Sequence, residues 1–378
     1  MRNIYTFLIL IIPGIFQIQG QIIVDHTSTD ISLIPQAAIQ QAKEDLHIAY
    51  GHTSHGSQLT EGMKSLVEFA NAGGLGISLP TDFLSWNDGG SDGALDLHDK
   101  AMEGDAGIWP DWYDNTIAYL EDEANSDVNV VMWSWCGQVG RKYSEEKLWD
   151  EYLGPMSDLE NEYPDISFVY MTGHLDYAER EITNAANDSI RSFCRNNNKV
   201  LYDFADIESW GHDGTHYKEN GDDDCDYFGS QGDSIGNWAL EYQDTHEEGT
   251  DWFDCVSAHS EAYNANLKAY ATWWLFAELG GWDSGSAVLN VEANDRKPGI
   301  QGKVVPNPVQ DIAYLDLECA DIHPQITLLS SSGRILQHRS EITSEGYRID
   351  MGAISPGVYY LVVKTEEAVR SFRVIKEE

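Results

Sequence analysis

The chain has 378 residues, with 63 acids against 23 bases and a formal net charge of −40. Such a surface repels nucleic acid and anionic lipid, and no nucleic-acid partner is expected. Apolar residues make up 42% of the sequence, enough for real hydrophobic cores, and the length suits two domains.

Arg2 precedes an apolar segment at 5–18 that is interrupted by Pro13 and Gly14. It reads as a secretory signal over residues 1–20, with Gly20-Gln21 as the cleavage point. No membrane-spanning segment is expected in the mature chain, which should be exported and soluble. From 36 to 282 the pattern alternates. Helix 36–45 leads into strand 46–50 and helix 58–71; helix 112–125 feeds strand 128–135. Helix 144–162 precedes strand 166–171, helix 178–196 precedes strand 199–204, and helix 258–280 closes the series. This alternation predicts a parallel sheet with helices on both faces, in a catalytic domain over residues 21–282. In such sheets the site lies at the carboxyl ends of the strands, here the loops 51–57, 136–142, 172–177 and 205–257.

The last of these is a long insertion rich in Gly, Asp and aromatics. Its Cys225 and Cys255 are expected to form a disulfide, which export permits. Its run "ENGDDDCD" (219–226) is a candidate for a structural calcium, although a solvated acidic loop is the commoner meaning. Residues 283–302 read as a linker. From 303 to 378 short alternating runs predict a small antiparallel β-sandwich. Pro306-Asn307-Pro308, Gly333, Pro356-Gly357-Val358-Tyr359 and Lys376 together resemble the C-terminal sorting domain of the Bacteroidetes type IX secretion system. The resemblance implies that machinery as a partner, and passage across the outer membrane to release or surface attachment.

The chemistry centres on "LHIAYGHTSHGSQ" (46–58), the turn after the first long strand. A serine there stands at the top of the sheet beside a helix N-terminus, whose free N–H groups can stabilise an oxyanion. Ser54 needs a base on the same edge, and His259, at the start of the last helix, is the natural one. Asp254 is the candidate to orient it. This layout resembles the SGNH (GDSL-type) hydrolases, which implies a flavodoxin-like three-layer parallel sheet, a serine nucleophile and no required cofactor. On that resemblance Gly90 and Gln138 are the oxyanion donors; from their loop positions His52, His55, His174 and Asp176 are expected to line the substrate pocket. The sequence departs from the family: Thr53-Ser54 stands for Asp-Ser, Gln138 for an Asn, and Val256 occupies the place of the triad acid.

A metal-centred reading draws on His52, His55, His98, His174, His212 and His216 with Asp99 or Asp176, but none shows a recognised zinc spacing. The metal, if there is one, stays unknown at this point. Trp86, Trp109, Trp112, Trp210, Trp238 and Trp252 are expected in loops, where aromatic faces stack on sugar rings. The leading expectation is therefore a secreted esterase that removes acyl groups, acetyl in the first instance, from glycans. A metal- or histidine-dependent glycan lyase or hydrolase and a non-catalytic carbohydrate-binding protein are the alternatives.

Overall fold

Apolar runs such as Val130–Trp133 and the second half of Ser167–Met171 are buried throughout, as strands covered on both faces require. They belong to a computed structural model that describes residues 21–284 and most of 301–376. The chain divides into two units after Asp283. The expected signal (1–20) and the linker between 285 and 300 lie outside the described residues.

In chain order the first unit comprises β1 (Ile23–Val24), α1 (Gln36–Asp45), β2 (His47–Gly51), α2 (Ser57–Asn71), β3 (Trp86–Asn87), β4 (Leu95–Asp99), α3 (Asp111–Leu120) and β5 (Val130–Trp133). Then follow α4 (Val139–Ser144), α5 (Gly154–Glu162), β6 (Ser167–Met171), α6 (Arg180–Asn196), β7 (Val200–Tyr202) and α7 (Phe204–Ile207). The insertion adds the hairpin β8 (Asp226–Phe228) and β9 (Ser234–Asn237) and helix α8 (Trp238–Thr245), before α9 (Ala262–Leu279). All seven strands of the main sheet run parallel, in the order β1-β7-β6-β5-β2-β4-β3. The chain leaves β2 for β4 on one side and then returns across it to β5 on the other. The order therefore reverses between β2 and β5, and their carboxyl ends open the crevice in which such sheets hold ligands.

Three strands escape the sequence pattern. β1 and β3 are two residues long, and β4, "LDLHD", buries only Leu95 and Leu97. The helix expected at 144–162 is interrupted where Glu146 takes a left-handed φ of 59°. The last helix begins at Ala262 instead of 258. It is buried on nearly every side from Ala262 to Glu278, as a helix apolar all round must be. It lies against α2 where Gly62 meets Ala265 and Ala269; a Cβ on Gly62 would come within 2.4 Å of the Ala265 carbonyl oxygen.

The second unit has two four-stranded antiparallel sheets. One is ordered β10-β11-β15-β14 and the other β13-β12-β16-β17, with β10 at Gln301–Val305, β11 at Ile312–Glu318, β12 at Gln325–Ser330 and β13 at Ile335–Gln337. β14 is Glu341–Thr343, β15 Gly346–Asp350, β16 Gly357–Lys364 and β17 Val369–Lys376. Ala313, Leu315 and Ile349 of the first sheet share one core with Leu328, Leu361, Val363 and Val374 of the second, a sandwich built by period-two alternation. Among the described residues no helix is long and apolar enough to cross a membrane.

Candidate active site

Two helix N-termini meet at the carboxyl edge of the sheet. The close approach at Gly62 sets α2 beside α9, and Gln58, in the first turn of α2, donates from Nε2 to the Ala258 carbonyl at 2.6 Å. Gln58 Oε1 accepts from Lys268 on α9 at 2.5 Å. Lys268, fully buried, also donates to Glu208 Oε2 at 2.6 Å, while Glu208 Oε1 accepts the Leu175 N–H at 2.5 Å. One buried ion pair thus ties together the loops after β2, β6 and β7 and the turn before α9.

Ser54 leads into α2 and His259 precedes α9 by three residues, in a left-handed conformation (φ 57°). Ser54 Oγ lies 3.0 Å from His259 Nε2 and 3.3 Å from Cys136 Sγ. His55 Nδ1 lies 3.4 Å from the same sulfur, and its Nε2 is 2.9 Å from Asp223 Oδ2. The side chains form one chain: His259, Ser54, Cys136, His55, Asp223. His55 is sandwiched between the rings of His174 (centroids 4.0 Å apart, 3° between planes) and His259 (4.5 Å, 16°). Burial works against a charged His55, but the Asp223 carboxylate and the Cys136 sulfur outweigh it and lift its pKa to about 9. The hydrogen bond from His55 brings the Cys136 thiol down to about 6, with Ser54 and Thr53 adding to the effect against partial burial. Asp223 is held below the ordinary carboxylate range, its burial outweighed by His55 and His174. Burial, and then the neighbouring His55, depress His174.

Not all the expected groups join this chain. His52 is buried behind the turn, with Nε2 2.7 Å from Asp99 Oδ1 and Nδ1 donating to the Thr53 carbonyl at 2.8 Å. It braces the loop from β4. Gly51 and Gly56 are needed for space and not for φ: a Cβ would meet the Trp133 ring at 2.4 Å and Ser134 Oγ at 2.1 Å, respectively. Asp254 is exposed and is not bonded to His259, whose Nε2 faces Ser54. The Gly90 N–H is spent on the Asn87 carbonyl in a turn after edge strand β3. Gln138 accepts the Cys136 N–H at its Oε1 and turns its Nε2 to Asp105 at 3.4 Å, so its amide shapes the Cys136 turn. Asp176 accepts the Glu179 N–H in the turn before α6 and does not join the site. His174 is in the site as a ring stacked on His55, its Nδ1 donating to the Leu175 carbonyl. The backbone N–H groups of Ser54 and His55 donate to no acceptor among the described residues, and both sit at the positive end of α2.

The disulfide expectation is corrected: Cys225 and Cys255 are unbonded. Cys225 is buried, with its sulfur 3.3 Å from Ser260 Oγ, and packs with Trp238, Trp252 and Tyr263. Cys255 faces the Ala262 carbonyl and Asn266 instead. Cys225 behaves as a small core residue that seats the acidic loop and so presents Asp223 to His55. The acidic run is thereby more than a solvated loop. One of its members closes the side-chain chain, and Asp222 beside it is pushed up to about 8 by burial and by Asp224.

His55, His174 and Asp223 also bring three ligand-type atoms within 4.8 Å of one another. As arranged they do not suit an ion. A metal lies in the plane of each imidazole that binds it, about 2 Å from the nitrogen, and two parallel rings 4.0 Å apart cannot share such a point. Asp223 is moreover already bonded to His55.

Of the six tryptophans expected in loops, Trp112, Trp238 and Trp252 are core residues. Trp86 lines a cleft of about 390 Å³ with Thr60, Glu61, Lys64, Asn87 and Asp99. Asp99 is the residue that braces His52.

Residues 303–377 match the family model of the secretion system C-terminal sorting domain. The chain is therefore a type IX secretion substrate, delivered to the cell surface or beyond. No curated protein matches the chain. Among solved structures, an endo-β-1,4-mannanase from Thermotoga petrophila is 9% identical, with 88% of this chain and 97% of that one covered and a TM-score of 0.23. A modular endo-β-1,4-mannanase from Cellulomonas fimi is 10% identical over 70% of this chain and 51% of that one, with a TM-score of 0.19. Likenesses this slight carry no argument about fold or activity.

Proposed function

We propose that the first unit is an extracellular ester hydrolase of SGNH-like, flavodoxin-like design that removes acyl groups from glycans. The contact of 3.0 Å between Ser54 Oγ and His259 Nε2 carries the reading. Strand order supports it: β2, β4, β5, β6 and β7 lie as second-first-third-fourth-fifth, the flavodoxin-like arrangement, with the serine at the reversal point. Ser54 Oγ attacks the ester carbonyl while His259 Nε2 takes its proton. The oxyanion is held by the N–H groups of Ser54 and His55 at the start of α2. His259 returns the proton to the departing alcohol, and a water deprotonated by the same ring then releases the acid. Among the described residues no carboxylate is bonded to His259, which supports a Ser–His dyad. A glycan substrate fits the extracellular destination and the cleft of Trp86, Asn87 and Glu61, where an aromatic face sits beside groups able to bond hydroxyls.

Hydrolysis of p-nitrophenyl acetate and release of acetate from acetylated polysaccharide test the reading. Ser54→Ala should lower kcat/KM by about 10³-fold or more, and His259→Ala by about 10²–10⁴-fold. Full activity of Ser54→Ala, or glycan binding without turnover in the wild type, overturns it.

A further inference from the structure

Ester hydrolysis by Ser54 and His259 leaves three of the five linked side chains unused. Cys136, His55 and Asp223 have the order of a nucleophile, a base and an acid that orients the base, with contacts of 3.4 and 2.9 Å. They come from three separate segments: the loop after β5, the loop after β2, and the insertion. We propose that Cys136 is a second nucleophile at this site, and that with His55 and Asp223 it hydrolyses amides, releasing N-linked acyl groups through a thioester.

The geometry gives each group one task. Asp223 receives the Nε2 proton of His55 and leaves Nδ1 facing the sulfur. Ser54 Oγ, on the sulfur's other side, is placed to donate to it. The titratable groups facing this sulfur are His55 and, through the neighbouring loops, His174, Asp223 and His259; Asp105 is reached only through Gln138 and Thr53. Among the described cysteines Cys136 alone has a lowered thiol pKa, while burial pushes Cys194, Cys225 and Cys255 up. The contact with His55 and the opposite directions of the two shifts, thiol down and imidazole up, favour a thiolate beside an imidazolium as the resting state.

That resting state suits an amide better than an ester. An amide nitrogen cannot leave as an anion and needs a proton before its bond breaks. The Ser54 dyad must first collect that proton from its own hydroxyl, whereas His55 already carries it. The thiolate attacks the carbonyl carbon, and the C=O electron pair moves to oxygen. As the pair returns, the C–N bond breaks and the nitrogen takes the Nδ1 proton of His55, so a neutral amine departs from a thioester on Cys136. Water then attacks the thioester and gives its proton to His55. The C–S bond breaks, and the carboxylic acid and the thiolate–imidazolium pair are restored. No oxidant, metal or co-reactant is needed.

The acyl-transfer reading supplies the type of bond, whereas the ionised thiol rests on the Cys136–His55–Asp223 contacts and the lowered thiol pKa, and the test separates the two. Full-length protein is alkylated with iodoacetamide between pH 5 and 10, the Cys136 peptide is followed by mass spectrometry, and 4-nitroacetanilide hydrolysis is assayed in parallel. The expected alkylation midpoint is near pH 6, moving upward by more than one unit in His55→Gln, with amide hydrolysis falling in step with the alkylated fraction. A wild-type midpoint near the ordinary thiol value of 9.0 overturns the inference whether or not esters are cleaved. A low midpoint without amide turnover, or turnover that survives complete alkylation, overturns the amide activity. Failure of the ester assay alone overturns only the role given to Ser54.

Discussion

Ser54 has one proton and two neighbours that can take it, His259 Nε2 and Cys136 Sγ. A hydroxyl that donates to the sulfur stabilises a thiolate, and one that donates to His259 is primed for attack, so the two halves of the site compete for a single hydrogen bond. Asp223 reaches this competition only through His55. Asp223→Asn removes the carboxylate that raises the pKa of His55, and an imidazole that is charged less of the time supports the thiolate less. The Cys136 alkylation midpoint should therefore rise from about 6 toward 9.0 in Asp223→Asn; an unmoved midpoint would mean that Asp223 only fastens the loop. Ser54 and His259 were legible because each sits at a helix start on the active edge, a position the strand–helix pattern reveals. Asp223 was not, and nothing in the pattern joined Cys136 to His55. Cys136 lies 81 residues from His55, and Asp223 lies 168 residues away in a run whose charges read as solvation.

At the scale of elements, the site depends on keeping two helix starts side by side. Gly62 lets α2 approach α9, and the Lys268–Glu208 pair ties them to the loop of His174 through Leu175. A fully buried pair is costly to break from one side, because the partner keeps an uncompensated charge. Lys268→Met should destabilise the unit by about 3–5 kcal/mol in urea unfolding. Replacing both partners, Lys268→Met with Glu208→Leu, should recover most of that loss. If the double variant were as unstable as the single one, the pair would contribute more than mutual neutralisation. The long helices and the buried strands were readable from periodicity. β4 was not, being short and half-exposed, yet Asp99 at its end is what braces His52. The start of α9 was misplaced because "SAHSE" carries no breaker. The left-handed φ that ends the turn falls on His259 itself, a residue type that tolerates such a backbone.

The whole molecule joins a chemical unit to an address. The sorting sandwich could be read from its motifs, and its match over residues 303–377 fixes an extracellular destination. A net charge of −40 keeps such a chain soluble and apart from other anions, which favours neutral or acyl-masked polymers as substrates over polyanionic ones. The strand order was not in the sequence pattern, since it requires β4 and the crossing back to β5. With that order the serine lies at the reversal of the sheet, where chemistry in this architecture is found. A nucleophilic Ser54 must form a covalent bond with an acyl or phosphonyl group. Exported full-length protein treated with a fluorophosphonate, digested and mapped by mass spectrometry should carry the adduct on Ser54, with labelling lost in His259→Ala. An unlabelled Ser54 in protein that still hydrolyses p-nitrophenyl acetate would contradict it.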